Sequence, residues 1–134
     1  NFNVNVLTGH DGILRGASGG HSDTAFGSDL CIVTLPAYRE GVPSIVESVQ
    51  TVVTPGETVD AIVTEMGIAI NPQREDLLKK SLKAGLPVIE IEKLKEQIES
   101  ITGKPDPVEF DYNRPVAIVE YRDGTLIDTV YKVK

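Results

Sequence analysis

Tryptophan is absent from the 134 residues, and there is one cysteine (Cys31), one methionine (Met66) and two histidines (His10 and His21). A single cysteine permits no internal disulfide and no cysteine metal cluster. Two histidines far apart in sequence do not make a metal site, so no metal is expected. The chain contains no run of 18 apolar residues, which excludes a membrane-spanning helix. No basic start followed by an apolar stretch is visible, so no secretory leader is expected. Basic residues are also short: 13 Lys and Arg stand against 20 Asp and Glu, a net charge of −7. Such a surface repels phosphate backbones, so no nucleic-acid partner is expected. The lone cysteine fits a reducing, cytoplasmic setting.

What is present is β-branched. Valine (16) and isoleucine (12) outnumber leucine (10), which favours a sheet with few, short helices. The length is that of one domain, residues 1–134, and it suffices to bury about two-thirds of the surface of the unfolded chain. The opening Asn1-Phe2-Asn3-Val4-Asn5-Val6 already alternates as a half-buried strand does, with no Met and no lead-in. The chain is therefore expected to be a fragment of a longer polypeptide.

Along the sequence, Phe2–Leu7 and Ile13–Leu14 read as strands joined by the turn His10-Asp11-Gly12. Asp23 is placed to cap a short helical turn at Thr24-Ala25-Phe26. The apolar run Leu30–Leu35 predicts a strand buried on both faces. Ile45–Val53 reads as extended, and Ala61–Val63 and Ile68–Ile70 as a hairpin around Glu65-Met66-Gly67. Asn71-Pro72 predicts the start of a helix that runs to Ala84, with Leu78 and Leu82 on one face. A second helix is predicted over Glu92–Ile101. Val116–Tyr121 and Thr125–Val133 form a hairpin through Arg122-Asp123-Gly124. Strands Leu30–Leu35, Val49–Val53, Ala61–Val63 and Val116–Tyr121 are expected to share one mixed sheet flanked by the helices.

The densest glycine region, Gly16-Ala17-Ser18-Gly19-Gly20-His21-Ser22-Asp23, is where chemistry is expected. Glycines let backbone N–H groups approach a ligand closely and permit positive φ. Such a loop can hold a phosphate, an acyl oxyanion or the amides of a pantetheine arm; it can equally be a tight crossover between strands. His21 can donate to a carboxylate or an oxyanion, and Asp23 can orient His21 or cap the next turn. Arg15 abuts the loop, and Arg15 and Arg39 are candidate carboxylate partners because guanidinium binds carboxylate in a fork. For Arg39 a surface ion pair is the expected role. Glu65 is placed at a hairpin tip, solvated or paired with a base, and Cys31 is expected to be a buried, inert thiol.

The segment Gly16–Ala25 resembles a signature of the citrate lyase alpha subunit family, the citrate CoA-transferases. Further stretches resemble the same family in the same order: Phe2–Val6, Val53-Thr54-Pro55-Gly56, Val63–Pro72 and Glu120–Thr125. More distantly, Gly19-Gly20 with Asp23 and the Thr64-Glu65 hairpin resemble the second half of keto-acid CoA-transferases. Phe26 departs from the pattern, where a smaller residue is expected.

The resemblance implies an α/β CoA-transferase fold, a mixed sheet with flanking helices built as two similar halves, of which this chain is the C-terminal part of the second. It implies exchange of acetyl for citryl on the CoA-like thiol of an acyl carrier (gamma) subunit, with release of acetate, before a beta subunit cleaves the citryl group. The thioester of that carrier, with acetyl-CoA as its analogue, is the implied cofactor, and an oligomeric complex is the implied setting. The implied substrate- and CoA-binding residues are Arg15, Gly16, Ser18, Gly19, Gly20, His21, Ser22 and Asp23, with His21 the catalytic candidate. Related keto-acid enzymes place a glutamate nucleophile before the glycine loop; none of the 15 residues before Gly16 is Glu. Two alternatives stay open: a CoA-transferase for another small carboxylic or keto acid, and a non-catalytic domain that docks the other lyase subunits.

Overall fold

The computed structural model describes residues 1–134. In chain order the elements are α1 (His21–Phe26), β1 (Ile32–Thr34), β2 (Tyr38–Arg39), β3 (Val42–Pro43), a 3-10 turn (Gly56–Thr58), β4 (Ala61–Thr64), β5 (Gly67–Ile70), α2 (Glu75–Lys83), α3 (Ile91–Thr102), β6 (Phe110–Glu120) and β7 (Leu126–Val133). The class is mixed α/β with small sheets and few helices. The single shared sheet is not formed. β1 pairs parallel with β4, which pairs antiparallel with β5; β2–β3 and β6–β7 are separate two-stranded ribbons.

Several expected elements are cut short for identifiable reasons. Residues 49–53 make no ladder because their backbone is claimed elsewhere: Val52 N–H donates to the Asp128 carboxylate at 2.6 Å, and Val53 N–H to Val4 O at 2.9 Å. The Phe2–Leu7 strand reduces to one antiparallel bridge, Val4 with Thr54, since the Asn5 side chain accepts the Leu7 and Thr8 N–H groups and bends the chain away. β1 covers only part of Leu30–Leu35 and is an edge strand, so Ile32 is half exposed and the run is not buried on both faces. α2 starts four residues after Asn71, whose Oδ1 accepts the Gln73 N–H at 3.2 Å in a local turn while its side-chain NH2 donates to the Gly56 and Val59 carbonyls at 2.9 and 2.8 Å, so Asn71 anchors a turn ahead of the helix. Leu82 and Ile101 point off the packed faces and are exposed.

The core lies between the β4–β5 hairpin and α3. Leu94 and Ile98, four apart on α3, are fully buried against Ile62, Ala69, Val59, Ala37, Ile45 and Phe2. Phe2 enters this cluster because the N-terminal segment runs close over Gly56. A Cβ on Gly56 would lie 2.7–2.9 Å from the Phe2 and Asn3 backbone, while the Gly56 N–H donates to Asn3 Oδ1 at 2.8 Å. Gly56→Ala should therefore cost roughly 1–3 kcal/mol through overpacking, seen as a lower urea midpoint. Gly20→Ala, whose Cβ would meet only Thr24 Oγ1 at 3.7 Å, should stay within about 0.5 kcal/mol of the parent.

Candidate functional site

The glycine loop runs along the surface between the Thr8–Leu14 bridge and α1. Gly16 has a reason within the fold itself: its N–H donates to Leu7 O, and a Cβ there would sit 2.7 Å from Val6 O. Gly19 adopts φ 53° with open space around it. Ser18 O accepts the His21 N–H at 3.1 Å, whereas the N–H groups of Ser18, Gly19 and Gly20 make no hydrogen bond within the chain. Gly19 and Gly20 are exposed and Ser18 half-buried. The loop thus leaves three backbone donors without partners in the chain, groups of the kind that can stabilise a carbonyl oxygen that gains negative charge.

α1 is only six residues long, and it is held in place from outside. Its N-cap is Gly20, with no side-chain cap, so Asp23 does not cap the helix. Nor does Asp23 face His21. Its carboxylate takes a bidentate contact from Arg122, with Nε at 3.1 Å and the terminal nitrogen at 2.9 Å. That guanidinium holds the Asp23 carboxyl below the usual carboxylate range. Phe26 is exposed and tilts against Tyr121, ring centroids 6.1 Å apart, which accounts for a large residue at that position. The turn between β6 and β7 therefore grips the short helix at Asp23 and at Phe26.

His21 is half-buried, and its Nδ1 lies 2.6 Å from Thr54 Oγ1. Thr54 is fully buried, fixed by the bridge to Val4. His21 Nε2 makes no hydrogen bond within the chain. Ser22 and Ala25 are the buried residues of the helix, and Ala25, one turn on from His21, lies on the same side of α1 as the half-buried ring.

The remaining candidates separate from this cluster. Arg15 forms a two-pronged ion pair with Asp11. Arg39 is exposed and forms no ion pair in the chain, contrary to expectation. Glu65 is exposed at the hairpin tip and pairs with no base; both carboxylate oxygens accept the Ala37 N–H, at 3.1 and 2.9 Å. It thereby ties the β4–β5 tip to the end of β1. Cys31 is half-buried rather than buried, and desolvation, then the nearby Asp60 charge, pushes its thiol up, away from the thiolate. No group of three His, Cys, Asp or Glu is placed to hold a metal. No helix is long and apolar enough to cross a membrane. A hollow of about 530 Å³ lies elsewhere, against Val33, Leu35, Ile45 and Ile62, and no residue from Gly16 to Asp23 lines it.

Two residues of the cluster were not singled out from sequence. Thr54 entered within the stretch Val53-Thr54-Pro55-Gly56 that resembles the family, and Arg122 as part of a hairpin tip. Their roles arise from contacts 33 and 99 residues away along the chain.

The family model for citrate lyase, alpha subunit (CitF), matches residues 1–133. The chain belongs to the citrate lyase alpha subunit family. It is 56% identical to the citrate lyase alpha chain of Klebsiella pneumoniae and 53% identical to that of Escherichia coli strain K12, in each case over 99% of this chain and 26% of the relative. A crystal structure described as the alpha subunit of citrate lyase from Streptococcus mutans, in complex with citrate, superposes on the whole chain with a TM-score of 0.95 and 51% identity, again over 26% of that protein. The chain thus spans about a quarter of the length of the citrate lyase alpha chains it matches.

The Asp23–Arg122 contact has a definite pH dependence. Asp23 is lowered in the folded state, so its contribution is present above the ordinary aspartate value of about 3.9. It is lost as pH falls through the lowered folded value. Arg122→Met should return Asp23 toward that ordinary value, followed by carboxyl-carbon NMR titration.

Proposed function

We propose that the chain forms one wall of the thioester-exchange site of a citrate CoA-transferase, the alpha subunit of citrate lyase. In that reaction acetyl on the CoA-like arm of the acyl carrier (gamma) subunit is replaced by citryl, and acetate leaves. The beta subunit then acts on the citryl thioester. The observation that carries the reading is the row of unpaired N–H groups, Ser18 to Gly20, set beside His21 on a helix clamped by Arg122. Family membership and the citrate bound to the Streptococcus mutans structure support the choice of acid.

The chemistry follows from the geometry. Acyl exchange passes through tetrahedral species in which a carbonyl oxygen becomes an oxyanion. Fixed backbone donors stabilise that charge without reorganising. His21 Nε2 adds a further donor toward the acyl oxygen or a citrate carboxylate, and the flat surface at Gly19-Gly20 lets the pantetheine amides approach. Ser22 is buried, and Asp23 keeps the helix, and with it His21, against the β6–β7 turn.

Charge sets the limit of what this wall does alone. The two arginines nearest the loop are already paired, Arg15 with Asp11 and Arg122 with Asp23. A tricarboxylate needs unpaired cations, which the remaining three-quarters of the alpha chain would supply. Residues 1–134 alone should therefore give no turnover of acetyl-CoA with citrate, since the acid is not held against the acyl group. Measurable citryl-CoA formation would overturn this.

In the full-length subunit, Gly20→Val should lower kcat/KM on the order of 10-fold or more by blocking the backbone donors. Folding should be little changed, because Gly20 has an ordinary φ of −93° and a Cβ there would meet only Thr24 Oγ1 at 3.7 Å. A fully active variant with an unchanged unfolding midpoint would reduce the loop to a connector.

A further inference from the structure

We infer that Thr54 is a positioning residue that holds His21 in one tautomer, with the proton on Nε2 and the lone pair on Nδ1. The inference rests on the proposed site at the glycine loop, and it specifies what His21 does there. Hydrogen positions follow from hydrogen-bond accounting, and here the accounting has one solution.

Thr54 is fully buried, and its hydroxyl has a single partner in the chain, His21 Nδ1 at 2.6 Å. Its backbone is occupied separately: the N–H donates to Val4 O at 3.1 Å, and the carbonyl accepts the Val4 N–H at 2.9 Å. Two arrangements satisfy that contact. If Nδ1–H donated to Oγ1, the threonine proton would be left in the interior with no acceptor. If Oγ1–H donates to Nδ1, only a hydroxyl lone pair is left without a partner. Buried donors without acceptors are the costlier and rarer case. The second arrangement therefore holds, and the neutral ring carries its proton on Nε2, the nitrogen without a partner in the chain.

The consequence is a choice between two chemistries. A ring protonated on Nδ1 would offer a lone pair and act as a base. A ring protonated on Nε2 offers a donor to an acyl oxyanion or a carboxylate. Thr54 selects the donor. The same contact fixes the ring plane, as partners one step removed from a functional histidine commonly do. It also links His21 to the N-terminal segment, because Thr54 is itself held by Val4.

The test is nitrogen NMR on the full-length alpha subunit labelled with [15N]histidine, with His21 assigned by its disappearance in His21→Gln. The parent should show an unprotonated Nδ1 and a protonated Nε2. Thr54→Ser, which keeps the hydroxyl, should preserve that signature and kcat. Thr54→Val, which keeps the shape, should mix the tautomers and lower kcat roughly 10-fold with KM for citrate little changed. A protonated Nδ1 in the parent, or an unaltered ring signature in Thr54→Val, would overturn the inference. Should the signature match while His21→Gln keeps full activity, the tautomer assignment stands and the loop loses its place in the exchange reaction.

Discussion

The close passage of Phe2 and Asn3 over Gly56 is the constraint on which the rest of this structure depends. It places Phe2 in the core beside Leu94 and Ile98. It also brings Val4 into register with Val53 and Thr54 through three backbone hydrogen bonds. Thr54 then has no freedom to move, and its hydroxyl becomes a fixed point for the His21 ring. A side chain at position 56 would push apart the two segments that make this possible.

From that seam outward, the candidate site is a convergence of three remote pieces of chain. The glycine loop and α1 supply the donors and the imidazole, the Thr54 segment orients the ring, and the β6–β7 turn holds the helix by charge and by an aromatic contact. The Asp23–Arg122 pair is exposed on the arginine side, and exposed pairs contribute little to overall stability. Its importance is geometric. A six-residue helix is too short to persist on its own hydrogen bonds and takes its position from whatever grips it.

Much of the molecule is legible from local pattern. The α3 face follows from Leu94 and Ile98 four apart, the β4–β5 hairpin from two short β-branched runs around Met66-Gly67, and the β6–β7 turn from Asp123-Gly124. The glycine loop stands out by composition, and the family by the order of its motifs. What the pattern does not carry is the competition for backbone groups by distant side chains. Asp128 takes the Val52 N–H, Asn71 takes two carbonyls, and Glu65 takes the Ala37 N–H. The first two divert segments from the regular elements their own sequences favour, and the third ties the β4–β5 tip to the chain that follows β1. Arg122 and Thr54 were hidden for the same reason, since nothing near them in sequence marks their partners.

The Asp23–Arg122 contact spans 99 positions of chain, and this has a consequence for the order in which the molecule comes together. Closing so long a loop costs only logarithmically more than closing a short one, so the pair persists at equilibrium. In time, however, contacts between distant parts of the chain form slowly, while the β6–β7 hairpin and α3 draw on local contacts. The imidazole's surroundings are therefore completed late, after the body that carries them. A chain still being synthesised has Asp23 99 residues before it has Arg122, so over that stretch it carries the glycine loop and α1 without the residue that grips the helix.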